Sequence, residues 1–306
     1  MKKQFLIVAG IVSLFAACKE KPPIIKLTET AVTIADTTYV GDVPAPQARN
    51  VLIEEFTGAS CTNCPAAHEE LEQREKDNPG RLNVLALYIK GPIQTTPPHG
   101  AKYDFRHQDT KVISDAIFGG VNQLPTAGVD RRPVAGAVKL DRGAWGAAIQ
   151  SALAVPDSIN LTVYSGYNSD TQEDTIICTM SYPYAITFGH NLHVALVQDN
   201  VVDVQEYPTN DPVHPGSDEE YDFTNIIRSM ATTIPLGDPI LTSMPAKEPG
   251  RVIVKVYILD TKKINERAYA AEKMPPFVPA DSRIVAWITN STNQQVMQSA
   301  QVKFLK

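Results

Sequence analysis

The sequence NVLIEEFTGASCTNCPAAHEELEQ, residues 50–73, decides the fold. Its apolar run, Val51–Phe56, predicts a short β-strand. Residues 65–76 predict an α-helix, because proline is favoured in the first turn and the residues that follow are good helix formers. Cys61 and Cys64 lie in the turn between the two elements. Three interpretations of this pair are open: a redox couple, a metal clamp or a structural disulfide.

Alternating strands and helices continue to about residue 155. Residues 82–89, LNVLALYI, are apolar nearly throughout, which is typical of a strand covered on both faces. Helices are predicted over residues 108–118 and 141–154, and a long insertion occupies residues 91–107. This order of elements predicts one α/β layer fold.

After Pro156 the helical patterns almost vanish, and six short strand-like segments follow with turn signals between them. Their spacing predicts an all-β, immunoglobulin-like sandwich. Within this part, only residues 222–231 (DFTNIIRSMA) are predicted to form a helix. The acidic stretch 214–222 predicts a solvated loop, with a calcium site as the less favoured alternative.

The N-terminal residues predict export from the cytoplasm. A basic start precedes an apolar run over residues 5–15, and Ala16-Ala17 then stand before Cys18. This pattern is typical of a lipoprotein signal whose cysteine is lipidated; a plain signal peptide cut near Ala17 is the alternative. Residues 1–17 are therefore predicted to be a signal peptide and residues 18–48 a tether, in which residues 24–35 are strand-like.

Composition excludes some classes of function. The net charge of -6 gives no basic surface for nucleic acid. Of the four cysteines, Cys18 is assigned to the lipid, and Cys61 and Cys64 form a pair outside the reducing cytosol. Cys178 alternates with apolar residues along a predicted strand, which favours a buried, inert side chain.

The position of the pair suits thiol chemistry. The amide groups and dipole at a helix N-terminus lower the pKa of a thiol there, so Cys61 is the predicted attacking sulfur and Cys64 resolves the mixed disulfide. Glu54 and Glu55 precede the turn on opposite strand faces, so one of them is positioned to relay protons beneath it. Pro125, after the second helix, suits a cis peptide bond.

At these residues the chain resembles the thioredoxin-fold proteins, through EEFTGASCTNCP and the later LPT. The resemblance implies that Glu55 is the buried acid. It also implies that Leu124, Pro125 and Thr126 form the cis-proline loop beside which substrate chains bind. Two departures concern the redox potential: Ser60 stands where the family has an aromatic residue, and Thr-Asn stands between the cysteines instead of Gly-Pro.

A second resemblance covers nearly the whole mature chain. The lipoprotein signal, VLIEEFTG..C..CP, LPT..VDR, NIIR and RIVAWITNSTNQQVMQSAQV are together similar to the Omp28-related outer-membrane lipoproteins of the Bacteroidetes. The resemblance implies a thioredoxin-like domain (49–155) followed by a β-sandwich domain (156–306). It also implies a lipid anchor in the outer membrane, with the protein exposed on either the periplasmic or the cell-surface side. No P-loop or dinucleotide-binding signature appears, so no cofactor is expected.

Two classes of function follow from these features. In the first, Cys61 and Cys64 exchange disulfides with envelope protein clients. In the second, the chain is a non-enzymatic surface lipoprotein that binds a ligand, and the disulfide is only structural. A soft-metal site on Cys61, Cys64 and His68, completed by His99 or His107, is a less favoured third reading. A metal shared by His190 and His193 is not expected, because the two lie on opposite faces of a strand.

Overall fold

The first half of the described chain alternates strands and helices as its sequence predicts. The computed structural model describes residues 36–264 and 273–304. The predicted signal peptide (1–17), the lipidation site Cys18 and the strand-like segment 24–35 lie outside the described residues.

The described residues include three complete α-helices and fourteen strands. The helices are α1 (Cys64–Asp77), α2 (Gln108–Phe118) and α3 (Arg142–Leu153). The strands are β1 (Thr37–Val40), β2 (Val51–Thr57), β3 (Leu82–Tyr88), β4 (Thr126–Val129), β5 (Asn160–Asn168), β6 (Glu173–Ser181), β7 (His190–Gln198), β8 (Val201–Glu206), β9 (Ser217–Phe223), β10 (Ile226–Met230), β11 (Asp238–Pro239), β12 (Arg251–Asp260), β13 (Ser282–Asn290) and β14 (Val296–Lys303). The three predicted helices of the first half are confirmed, and α2 ends at Gly119, whose φ of 67° is the left-handed conformation that glycine adopts readily.

One long mixed sheet runs through the protein. Its order is β14-β13-β7-β10-β3-β2-β4, and β11 adds to β7. β3 pairs in parallel with β2 and β10, whereas the other pairings are antiparallel. Strands from both predicted domains therefore share one sheet. The β-rich fold is confirmed, but the two-domain layout is not, and a boundary at residue 155 stays a prediction.

Different elements cover the two faces of this sheet. On one face, α2 packs in a core with side chains of β2, β3, β7 and β13. On the opposite face, α1 and α3 pack on β2, β3 and β4. The same face of β7 and β13 packs against a second sheet, of order β1-β12-β6-β5. Because β2 and β3 are covered on both sides, all of their residues are buried, as their apolar sequences predict.

The segment 222–231, predicted as a helix, instead contains the end of β9 and the whole of β10. That prediction is wrong because β10 fills the gap between β3 and β7, and pairing on both sides outweighs local helix propensity. The solvated loop predicted over 214–222 is also wrong from Ser217 onward, where β9 pairs antiparallel with β8.

A buried ion pair joins the two parts of the long sheet. The Arg49 guanidinium donates to Asp130 Oδ2 at 3.1 and 2.7 Å, and to the carbonyl oxygens of Val296 and Met297 at 2.6 and 2.5 Å. The other carboxylate oxygen of Asp130 accepts from the Leu52 amide at 2.9 Å. These bonds connect the chain before β2, the end of β4 and the start of β14, and they satisfy both buried charges.

We expect Asp130→Ala to lower the free energy of unfolding by about 3–5 kcal/mol, because it leaves the Arg49 charge buried without its partner. Urea unfolding followed by circular dichroism measures the change. The matched control is Asp115→Ala, which breaks the exposed Lys111–Asp115 pair and should cost about 0–1 kcal/mol. Equal effects of the two variants would contradict a joining role for Asp130.

Candidate functional site

The two cysteines form a disulfide at the N-terminus of α1. Their Cα atoms are 5.4 Å apart. The Cys61 amide donates to the Gly58 carbonyl at 3.0 Å, and the Cys64 amide donates to the Cys61 carbonyl at 3.0 Å, so the turn from 58 to 64 is tightly wound. Cys61 is 3% exposed and Cys64 is 0% exposed. The two residues between them, Thr62 and Asn63, are exposed.

Two distant segments hold this disulfide turn in place. From the 91–107 insertion, the Gln94 carbonyl accepts from the Ser60 amide at 3.0 Å. A Cβ on Gly58 would lie 2.3 Å from that same carbonyl oxygen, so only glycine lets the insertion come this close. From β8, the Gln205 side-chain amide donates to the Cys61 carbonyl at 3.1 Å, and the Glu206 amide donates to the Ala59 carbonyl at 2.8 Å.

The predicted proline loop lies beside the turn. The Leu124–Pro125 peptide bond is cis. Thr126 begins β4, and its hydroxyl donates to the Leu140 carbonyl at 3.0 Å. The loop and the turn border one open groove of about 440 Å³. Its lining residues are Thr62, Asn63, Pro65, Ala66, Glu69, Gln123, Leu124, Pro125, Asp141, Arg142, Tyr207, Pro208 and Asp211.

The two glutamates of β2 have different environments. Glu54 forms a buried ion pair with Arg131, with two nitrogen–oxygen distances of 2.8 and 2.7 Å. Glu55 is 2% exposed, and among the described residues no hydrogen bond reaches its Oε1. Burial therefore raises the pKa of Glu55 well above its ordinary value. Glu55 therefore holds a proton more readily than an exposed glutamate does.

His68 stands one helical turn after Cys64 and contacts Glu55. Its Nε2 is 3.4 Å from Glu55 Oε1 and 2.8 Å from the Thr57 hydroxyl, and its Nδ1 is 2.5 Å from the Tyr221 hydroxyl. Burial lowers the pKa of His68 to about 4, so the ring is neutral at neutral pH. Both ring nitrogens are thus engaged by hydroxyl groups from β2 and β9.

The other members of the alternative metal set lie in different settings. His107 is buried and its side chain caps α2 by accepting from the Asp109 amide at 3.1 Å, whereas His99 is exposed. Over residues 36–264 and 273–304, no group of three or more His, Cys, Asp and Glu side chains is arranged to hold a metal ion.

The two histidines of β7 and the cysteine of β6 are buried in the core. The His190 ring bonds the Tyr182 hydroxyl, and His193 Nε2 is 3.0 Å from the Thr289 hydroxyl, so the two rings have separate partners. Cys178 is a buried free thiol, and burial raises its pKa to about 12.

Several residues of the site carry no sequence signal. Gln205 and Tyr207 lie more than 140 positions after the cysteines, in a strand and a turn that no sequence pattern predicted. Tyr221 stands in a segment predicted as a loop. Only the pairing of β8 with β9 and the packing of both against the disulfide turn bring these residues to the site.

Comparison with known proteins gives a relationship of fold. No protein-family model matches the chain, and no curated protein matches it. HBP35 of Porphyromonas gingivalis is similar in structure, with a TM-score of 0.58 and 17% identity over 84% of this chain and 76% of that chain. The chain shares the fold of HBP35.

Two further solved structures match with lower scores. Protein AGR_C_4864 from Agrobacterium tumefaciens has a TM-score of 0.46 at 9% identity, over 86% of this chain and 97% of that chain. A domain of the outer membrane lipoprotein Omp28 from Porphyromonas gingivalis has a TM-score of 0.30 at 15% identity, over 48% of this chain and 88% of that chain. Among the residues that the structure describes, no helix is long and apolar enough to cross a membrane.

We expect Glu55 and His68 to change the stability of the fold in opposite directions as pH rises. Above pH 4.5 the unfolded chain loses the Glu55 proton while the folded protein keeps it, so this group lowers stability as pH rises toward its raised pKa. Between about pH 4 and 6.5 the unfolded chain holds the His68 proton that the folded protein lacks, so this group raises stability as pH rises.

Glu55→Gln should remove the decrease in stability that the Glu55 carboxyl causes as pH rises. Relative to the wild type, the free energy of unfolding of this variant should increase as pH rises above about 4.5, by up to about 1.4 kcal/mol per pH unit. His68→Gln should lose the rise between about pH 4 and 6.5. Urea unfolding at a series of pH values measures both, and a constant difference between Glu55→Gln and wild type would contradict the raised pKa.

Proposed function

We propose that this protein is a lipid-anchored thiol–disulfide exchange protein of the bacterial envelope. The observation that carries the proposal is that the Cys61–Cys64 turn and the cis-Pro125 loop border one open groove. An extended client segment in that groove lies against the proline loop with its own sulfur next to the disulfide. The TM-score to HBP35 supports the fold on which this site is built.

The disulfide state suits oxidation of a client dithiol. A client thiolate attacks Cys61 Sγ, a client–Cys61 bond forms, the Cys61–Cys64 bond breaks, and the electron pair goes to Cys64 Sγ. A second client thiolate attacks the client sulfur of the mixed disulfide, and Cys61 leaves as a thiolate. The client loses two electrons and two protons, and the cysteine pair gains them. In reverse, the Cys61 thiolate attacks a client disulfide and Cys64 resolves the product.

Neighbouring groups support each step. Cys64 is the first residue of α1, so the positive end of the helix dipole stabilises its thiolate as it leaves. We assign the proton transfer to Cys64 to Glu55, because burial lets this carboxyl keep its proton at pH values at which an exposed glutamate is ionised. Leu124, Pro125 and Thr126 present the backbone against which the client segment lies.

The cellular location belongs to the same proposal. The basic start, the apolar run and the small residues before Cys18 support a lipid anchor, and the motifs shared with Omp28-related lipoproteins support the outer membrane. The predicted tether (18–48) reaches into the fold, since β1 (Thr37–Val40) pairs with β12, so only the part before β1 separates the anchored Cys18 from the groove.

The anchor has a direct test. Cells expressing the protein should incorporate labelled palmitate into it, and Cys18→Ala should abolish the label because it removes the acceptor sulfur. Cys178→Ala is the matched control and should keep the label. Labelling of the Cys18→Ala protein would contradict the assigned acceptor.

A second candidate function rests on the burial of the disulfide. Cys61 is 3% exposed, and the bonds from Gln94, Gln205 and Glu206 hold its turn. These features suit a structural disulfide on a surface lipoprotein that binds a ligand without chemistry. The two candidates differ in the redox potential of the cysteine pair.

We expect a potential between about -270 and -120 mV for the Cys61–Cys64 couple, the range of exchange proteins. Equilibration of the full chain with glutathione buffers, followed by alkylation of free thiols, measures it. A potential below about -300 mV would contradict exchange and favour the structural reading.

A separate trapping experiment tests whether the cysteine pair reacts with client proteins. Cys64→Ser keeps the attacking sulfur and removes the resolving one, so mixed disulfides with envelope proteins should accumulate on Cys61. Cys61→Ser is the matched control and should accumulate far fewer, because Cys64 is fully buried. Equal yields from the two variants would contradict the assignment of Cys61 as the attacking residue.

A further inference from the structure

One wall of the groove comes from the segment between β8 and β9, residues 207–216, which contributes Tyr207, Pro208 and Asp211 to its lining. Tyr207 and Gly216 pair through a backbone bond of 3.0 Å, and the Gly216 amide also donates to the Pro208 carbonyl at 3.1 Å. The Tyr207 ring packs 5.0 Å from the His214 ring, measured between centroids. The segment therefore presents a fixed aromatic surface to the groove.

This segment is also tied directly to the disulfide turn. The residues just before Tyr207 are Gln205 and Glu206, whose bonds hold the Cys61 and Ala59 carbonyls. The position of Tyr207 relative to the disulfide is thus set by two hydrogen bonds. Any chain that reacts at Cys61 from the groove meets this wall.

The charged residues that line the groove are mostly acidic. Its acidic lining residues are Glu69, Asp141 and Asp211, against one base, Arg142. The Arg142 Nε lies 3.8 Å from a Glu70 carboxylate oxygen, so part of its charge is offset outside the groove. Asp211 accepts hydrogen bonds from two backbone amides of its own turn, at 2.9 and 2.8 Å, and these bonds lower its pKa and keep it ionised.

The floor between these charges is apolar. Pro65 and Ala66 of α1 face the groove together with Leu124 and Pro125. An apolar floor with charged groups at the rim favours a polypeptide segment that buries small apolar surface and places cations outward. The volume of about 440 Å³ lies within the range of roughly 300–1,000 Å³ that ligand sites occupy.

We propose that the groove selects client polypeptides that carry lysine or arginine next to the reacting cysteine, with Glu69 and Asp211 as the specificity-determining residues. This inference rests on the proposed exchange function and names its class of substrate. Tyr207 and the proline loop hold the client backbone, and the two carboxylates attract the cations that flank its sulfur. A client with acidic residues at the same positions is repelled.

The test compares three peptides that differ only in the residues on both sides of one cysteine: lysine, glutamine or glutamate. The rate at which each peptide thiol opens the disulfide of the full chain is measured in non-ionic detergent at low salt. Each rate is divided by the rate of the same peptide with a neutral disulfide, bis(2-hydroxyethyl) disulfide, because neighbouring charges also change the pKa of the peptide thiol. We expect the lysine peptide to exceed the glutamate peptide by about fivefold to tenfold, and the ratio to shrink at high salt.

Two variants separate the groove from overall charge. Glu69→Gln/Asp211→Asn should reduce the ratio to below about twofold; Asn keeps an oxygen that can accept the turn amides. Glu219→Gln/Glu220→Gln removes the same charge from exposed positions of β9 that do not line the groove, and should leave the ratio unchanged. An equal fall in both variants would overturn the groove as the source of selection.

The outcomes distinguish this inference from the function on which it rests. Equal normalised rates for the lysine and glutamate peptides, with a potential in the exchange range, would overturn the selection and leave exchange standing. A potential below about -300 mV would overturn the exchange function itself. A lysine preference that disappears in the groove variant and persists in the β9 variant supports both.

Discussion

The buried contact between Arg49 and Asp130 is the constraint on which the rest of the structure depends. One guanidinium binds the carboxylate at the end of β4 and two carbonyls at the start of β14, and the same carboxylate holds the Leu52 amide of β2. Asp130 and Arg131 both have positive φ, near 50°, which is uncommon for residues other than glycine. The ion pairs of both residues offset that cost, so the three strands meet in one arrangement.

Continuity of the long sheet determines what surrounds the disulfide. Because β10 pairs with β3 and β7 pairs with β10, strands from late in the chain extend the sheet that carries the cysteines. The chain then returns through β8 and β9, which pack over the start of α1. The site therefore combines a strand–turn–helix unit with a covering hairpin, and the hairpin supplies one wall of the groove and the bond that holds the Cys61 carbonyl.

The local parts of the site were predictable because local sequence specifies them. The turn before α1 follows from residues close in the chain, and the cis peptide bond at Pro125 was expected from the resemblance to thioredoxin-fold proteins. Burial was predicted for one glutamate of β2, whereas the structure buries both. The choice between Glu54 and Glu55 did not follow from strand periodicity, which places them on opposite faces without saying which face has a cation. Arg131 distinguishes them: Glu54 pairs with this buried guanidinium, whereas the described contact of Glu55 is with the neutral ring of His68.

The sequence by itself determined the order of strands and helices between about residues 51 and 155 and the cysteine turn at a helix N-terminus, because these depend on hydrophobic periodicity and on residues close in the chain. The tertiary structure alone decided that residues 226–230 are a central strand, that both halves share one sheet, and that Gln205, Tyr207 and Tyr221 complete the site. These facts depend on contacts between residues more than 100 positions apart, where pairing and burial outweigh the local preferences that a sequence displays.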